Sequence, residues 1–184
     1  GTTDVALISL GGIVRSLNLR VAGDHFNARV IEYLRDEFKL LIGEQTAEQV
    51  KISIGSAVET DYAELEVRGR DMITGLPRAL VVTDGDIREA LEYPVSLLVS
   101  GIREVLETAP PEMVADIISS GVILTGGGAL LKGLPNLLAQ ELKLPIYIAE
   151  DPLSAVVRGT GIILESFEEY KSTLLSIEDH VTVS

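Results

Sequence analysis

Three groups of residues in this sequence combine types and spacing that could do chemistry. Gly1-Thr2-Thr3-Asp4 opens the chain with small residues and hydroxyls, a combination that lets backbone amides approach a phosphate while threonines add donors. An ordinary turn explains the same residues. Gly126-Gly127-Gly128, followed by Ala129 and Leu130, comes directly after the apolar run Gly121 to Thr125. Missing side chains there would let a flat ligand lie against the backbone, with a helix N-terminus nearby. The spacing is not G-x-G-x-x-G, and a tight packing turn is the competing reading. Glu48 and Lys51 are three residues apart, so on a helix both project from one face and could straddle a polar ligand; a surface ion pair is the alternative.

Other chemistries are excluded by what the chain lacks. It has no cysteine and only His25 and His180, which rules out thiolate nucleophiles, disulfide frameworks and multi-histidine zinc sites. The histidines read as a helix-start surface residue and a tail residue, and no Ser-His-Asp set can be assembled. Fifteen Lys and Arg against 28 Asp and Glu give a net charge of -13, which repels nucleic-acid phosphates and anionic lipid alike. Five Tyr, three Phe and no Trp leave little for stacking bases. Nucleic acid is therefore not an expected partner. No window reaches the roughly 18 apolar residues of a membrane span.

The elements that must position these groups follow from periodicity. Residues 4 to 9 and 13 to 19 alternate as strands about Leu10-Gly11-Gly12, which predicts a hairpin. The chain runs into this strand at once, as if it began inside a folded element. Asp24 caps an expected helix with Phe26, Val30, Leu34 and Phe38 on one face, ending near Leu40. Thr46 and Gln49 match a capping box for a second helix reaching Ile54. Residues 62 to 68 and 78 to 83 read as an antiparallel pair, so 23 to 86 forms a small α+β insert. A helix from Asp86 to Thr108 carries an expected kink or break at Pro94, and Pro110-Pro111 precedes another short helix. Residues 121 to 125 and 145 to 149 are strand-like; helical stretches follow, the last opening at Asp151-Pro152. The class is mixed α/β, a mixed sheet with flanking helices. Its expected core includes Val5, Leu7, Val122, Leu124, Ile146, Val156 and Ile162.

Taken in order, GTTDVALISLGGIV (1 to 14), LRVAGDHFN (19 to 27), IGEQTAEQVKISIGSA (42 to 57), LTGGGALLKGLPNLL (124 to 138) and AEDPLSAVVRGTG (149 to 161) resemble the C-terminal half of the MreB family of bacterial actins. The likeness covers nearly the whole chain. It implies one lobe of an actin-like, ribonuclease H-like ATPase. Residues 1 to 22 and 87 to 184 would form subdomain IIA, and the insert, 23 to 86, subdomain IIB.

By the same resemblance, Gly1, Thr2 and Thr3 end a phosphate loop, with Thr2 and Thr3 as candidates to position the attacking water. Glu48 and Lys51 approach ribose and adenine; Gly126, Gly127, Gly128, Ala129 and Leu130 line the adenine and α-phosphate side. ATP with magnesium is the implied cofactor of a complete protein, while the other phosphate loop, the magnesium-associated acid and the catalytic carboxylate lie in the opposite lobe. No metal ligand and no catalytic carboxylate is assigned here, and the chain alone is expected to be inactive. The family likeness further implies filaments, a cytoplasmic and membrane-associated location, membrane contact through domain I, and a RodZ-like membrane-anchored partner, in the service of rod shape and cell-wall synthesis. The alternatives are a stand-alone actin-fold docking module, or half of a chaperone or sugar kinase of the same fold.

Overall fold

The computed structural model describes residues 1–10 and 12–171; His180 lies outside the described residues. Strands β1 (Thr3–Ser9) and β2 (Gly12–Leu19) form the expected antiparallel hairpin, with alternate residues half-buried. Helix α1 (Gly23–Phe38) buries Phe26, Val30 and Leu34 at four-residue spacing. Its N-cap is Ala22, so Asp24 sits within the first turn. Lys39 then turns the chain left-handed, at φ 54°, into β3 (Leu40–Leu41).

Helix α2 (Glu44–Ile54) starts two residues before Thr46, with Gly43 at its N-cap. Thr46 is thus inside the helix, and the expected Thr46–Gln49 capping box is not made. The box occurs instead at Thr83, where the Asp86 carboxylate accepts from the Thr83 N–H at 2.8 Å and the Asp86 N–H donates to the Thr83 hydroxyl. Strands β4 (Glu64–Asp71) and β5 (Pro77–Thr83) pair antiparallel, with β3 on the far side of β4.

From this box runs α3 (Asp84–Glu107), the spine of the molecule, packed against α1, α2, α5 (Leu134–Leu142) and the β1–β2 hairpin. It passes through Pro94 without a break. Proline removes one helical hydrogen bond, but Leu91, Pro94, Val95 and Leu98 are all buried, so packing on both sides holds the helix together. Then come α4 (Pro111–Ser120), β6 (Val122–Leu124), a 3-10 turn (Gly127–Leu130), α5, β7 (Ile146–Ile148), α6 (Ala155–Glu165) and α7 (Phe167–Tyr170). Strand β7 pairs parallel with β6. The last long helix opens at Ala155, after a turn, rather than at Asp151-Pro152.

The class is mixed α/β, with both pairing directions present, distributed over three small sheets. A groove of about 370 Å³ separates β1 from β6 and is lined by Val5, Leu7, Ile102, Ile117 and Val122. The expected core is displaced for that reason. Val5, Leu7, Val122, Leu124 and Ile146 are only half-buried, while Val156 and Ile162 are 65% and 54% exposed. A two-stranded sheet buries a face only where another layer covers it. The cover lies elsewhere, where α1, α2, α3 and the three-stranded sheet enclose Val30, Leu34, Leu40, Val50, Val82, Ile87 and Leu91, none more than 1% exposed.

Candidate functional site

Helix α2 presents Glu48 and Lys51 as expected, on one face, and joins them at 2.7 Å. This differs from a solvated surface pair. The Lys51 side chain is only 12% exposed, and its ammonium also lies 3.5 Å from the Gly23 carbonyl at the start of α1. Buried Asn27 donates from its amide to Glu48 at 2.7 Å. The Lys51 ammonium, and behind it the Asn27 amide, hold the Glu48 carboxyl below the usual carboxylate range. Glu48 is 46% exposed, so the pair is fixed from behind and open in front.

The N-terminal residues close the same corner. A side chain at Gly1 would lie 3.3 Å from Ala22, which places the first residues beside the α1 start that Lys51 reaches. Thr3 donates its hydroxyl to the Val21 carbonyl at 2.6 Å and anchors β1. The Thr2 hydroxyl has no partner among the described residues and faces solvent. Gly1, Thr2, Thr3, Glu48 and Lys51 therefore converge around the N-terminus of α1.

The glycine loop is joined to α2 from the other side. Ser56 pairs with Lys132 as a parallel bridge, the Ala57 N–H donates to the Lys132 carbonyl at 2.8 Å, and the Lys132 ammonium reaches the Ser53 carbonyl at 2.7 Å. Within the loop, only Gly126 is demanded by the backbone, at φ 82° and ψ 174°, with its N–H on the Pro152 carbonyl. A side chain on Gly128 would meet nothing within 4 Å, and one on Gly127 only the tip of Leu153 at 3.6 Å. Packing therefore does not require glycine at either position; the loop leaves open space there. Ala129 is buried beneath it, and Leu130 is exposed beside it. An unpartnered apolar side chain next to bare backbone suits one flat face of an aromatic ligand.

Sequence reasoning missed Asn27 and the Ser56–Lys132 clasp. Asn27 carried no signal beyond its place on α1, but its amide now orients Glu48, and its Oδ1 is buried without a partner among the described residues. His25 is also not a plain surface residue: it is half-buried, with its ring edge-on to Tyr93 at 6.5 Å. Arg29 lies over the same Tyr93 ring at 5.6 Å. A separate concavity of about 700 Å³ follows α3 from Gly85 to Arg103 and includes none of the candidate residues. No group of three or more acidic or histidine side chains suited to a metal occurs among the described residues.

A sequence profile described as MreB/Mbl protein matches residues 1–172. The chain belongs to the MreB/Mbl family. It is 47% identical over 177 residues to the cell shape-determining protein Mbl of Bacillus subtilis, covering 96% of this chain and 53% of that protein. Against the cell shape-determining protein MreB of Escherichia coli it is 46% identical over 179 residues, covering 97% and 52%. The chain thus spans about half the length of these MreB/Mbl relatives. Among solved structures, MreB5 of Spiroplasma citri bound to ADP superposes with a TM-score of 0.88 at 36% identity, over 95% of this chain and 53% of that one. The same protein bound to AMPPNP gives 0.88 at 37%, over 94% and 52%. The family is one of cell shape-determining bacterial actins, and the actin-like fold is shared.

Proposed function

We propose that this chain is the nucleotide-gripping lobe of a longer MreB-type ATPase, with the ligand held between the Glu48–Lys51 pair and the glycine loop. The observation that carries the reading is the open space over Gly127 and Gly128, on a loop clasped to the helix bearing Glu48. MreB5, with the same fold, is described bound to ADP and to AMPPNP. Glu48 and Lys51 supply an acceptor and a donor for ribose and base edges, Leu130 an apolar wall, and Gly1, Thr2 and Thr3 amides and hydroxyls for phosphates. Magnesium, when bound, would neutralise phosphate charge during transfer; this lobe offers Thr2 and Thr3 to orient water and relies on the opposite lobe for metal-holding acids.

On this reading residues 1–22 and 87–184 form IIA and 23–86 forms IIB. The whole protein would polymerise in the cytoplasm beneath the membrane and guide wall synthesis, with membrane contact and a RodZ-like partner engaging it there. No helix among the described residues is long and apolar enough to cross a membrane. Calorimetric titration of the full-length protein with ADP tests the reading. Binding that Gly127→Val removes supports it; undiminished binding in that variant overturns the placement, and absence of binding in the unaltered protein favours a docking module.

A further inference from the structure

Asn27 is only 5% exposed, yet it is held the way round that leaves its own amide oxygen unpaired. Its Nδ2 donates to Glu48 Oε2 at 2.7 Å and lies 3.5 Å from Glu44 Oε2, so the NH2 group faces two carboxylates. Turned over, the amide would set an acceptor against both. Its Oδ1 is therefore buried and takes no hydrogen bond from any described residue. A buried acceptor without a partner destabilises a fold, and one kept in that state calls for a reason other than stability.

That reason lies in Glu48. The two donors behind it converge on a single oxygen, since Asn27 Nδ2 and Lys51 Nζ each meet Oε2 at 2.7 Å. Lys51 shares α2 with Glu48, whereas Asn27 comes from α1 and ties the carboxyl to a second helix. Glu48 Oε1 takes no hydrogen bond from any described residue, on a side chain that is 46% exposed. The Lys51 ammonium, and after it the Asn27 amide, hold this carboxyl below the usual range, so at neutral pH it is ionised and has no proton to give. What it presents is one fixed oxygen that can only accept. A phosphate is repelled by its charge, and the flat base belongs with the bare backbone of the glycine loop and Leu130; the donors left on a nucleotide are the sugar hydroxyls. Resting on the nucleotide reading above, we propose that Asn27 is a positioning residue for sugar selection: it pins Glu48 Oε2 so that Oε1 accepts from a ribose hydroxyl, and the lobe prefers ribonucleotides to deoxynucleotides. Asn27 is too buried to meet the ligand and acts through Glu48. A preset acceptor gains a charge-assisted bond at little ordering cost, and a sugar without the hydroxyl leaves a carboxylate oxygen unpaired against it.

The test is calorimetric titration of the full-length protein with ADP and with its two monodeoxy analogues, one lacking each ribose hydroxyl, at a temperature where every variant is folded. The unaltered protein should bind ADP about tenfold or more tightly than one of the two analogues. Asn27→Ala should cut that preference to about threefold or less, by weakening ADP while leaving the disfavoured analogue nearly unchanged. A merely structural loss weakens all three ligands alike and leaves the ratio where it was. Glu48→Ala should abolish the preference, and adding Asn27→Ala to it should move the ratio no further. If Asn27→Ala folds poorly, Asn27→Ser, whose hydroxyl falls short of Glu48, decides by the same ratio. Failure of the unaltered protein to bind ADP overturns the nucleotide reading and this proposal with it. ADP bound no better than either analogue, or a preference that survives Glu48→Ala, overturns the sugar assignment and leaves the nucleotide reading standing. A preference lost in Glu48→Ala but kept in full by Asn27→Ala and Asn27→Ser overturns the positioning role of Asn27.

Discussion

Ser56 and Lys132, 76 residues apart in sequence, are joined so that the end of α2 and the loop after the three glycines form one unit. Ser56 is fully buried; its hydroxyl donates to the Val58 carbonyl at 2.6 Å and accepts from the Val58 N–H at 3.2 Å. Ser56→Ala leaves the half-buried Val58 N–H and carbonyl short of a partner, at a cost of about 2 kcal/mol. For a chain of this size that lowers the melting temperature by about 6 °C. Because the clasp fixes the glycine loop against the helix of Glu48, ADP affinity should fall even well below the melt. Calorimetry at 10 °C checks it, and unchanged affinity there would confine Ser56 to stability.

The Glu48–Lys51 pair makes a pH-dependent prediction. Lys51 and Asn27 depress the Glu48 pKa in the folded state, so its contribution is present above the ordinary carboxylate value, near 4.3, and is lost as pH falls through the lower folded value. Asp71 and Asp84 are held low by backbone N–H groups and act in the same direction. Melting temperature should therefore decline from pH 5 downward. Glu48→Gln should make that decline shallower and bring the two curves together at the acid end. The same variant, and Lys51→Ala, should weaken ADP binding at pH 7 more than they alter the melt.

The capping box gives a purely structural expectation. Thr83→Ala removes the hydroxyl that accepts the Asp86 N–H at the head of α3. The cost is about 1 kcal/mol, or about 3 °C in the melt, without effect on nucleotide affinity. Differential scanning calorimetry beside an ADP titration checks both parts.

Local signals in the sequence were legible where one element decides them. The hairpin about Leu10, the apolar stripe of α1 and the strand before Gly126 each follow from periodicity and turn chemistry over fewer than twenty residues. Misreadings arose where tertiary contacts decide. Pro94 breaks an isolated helix, yet α3 is buried on both sides of it. Val156 looks like core from its helical spacing, but among the described residues no side chain of α6 is buried and Val156 itself is exposed. Thr46 and Thr83 both fit a capping pattern, and only the chain's entry into each helix selects the second. Asn27 could not have been chosen from sequence, since its partner Glu48 is brought to it by the packing of α1 on α2.

Two neighbouring glycines separate folding from ligand contact. Gly126 sits at φ 82° and ψ 174°, a region essentially confined to glycine, so Gly126→Ala introduces backbone strain of about 1–3 kcal/mol. Gly127 has no positive φ, and a Cβ there would touch only Leu153 at 3.6 Å. Gly127→Val therefore leaves the fold room to form, while its two methyl groups fill the space proposed for the ligand. The melting temperature should drop by several degrees for Gly126→Ala and by about 1 °C or less for Gly127→Val. Nucleotide affinity should show the opposite order at a temperature where both variants are folded, with Gly127→Val losing about tenfold or more. A Gly127→Val variant that melts early but binds ADP normally would make the glycine run a packing turn and move the ligand away from it.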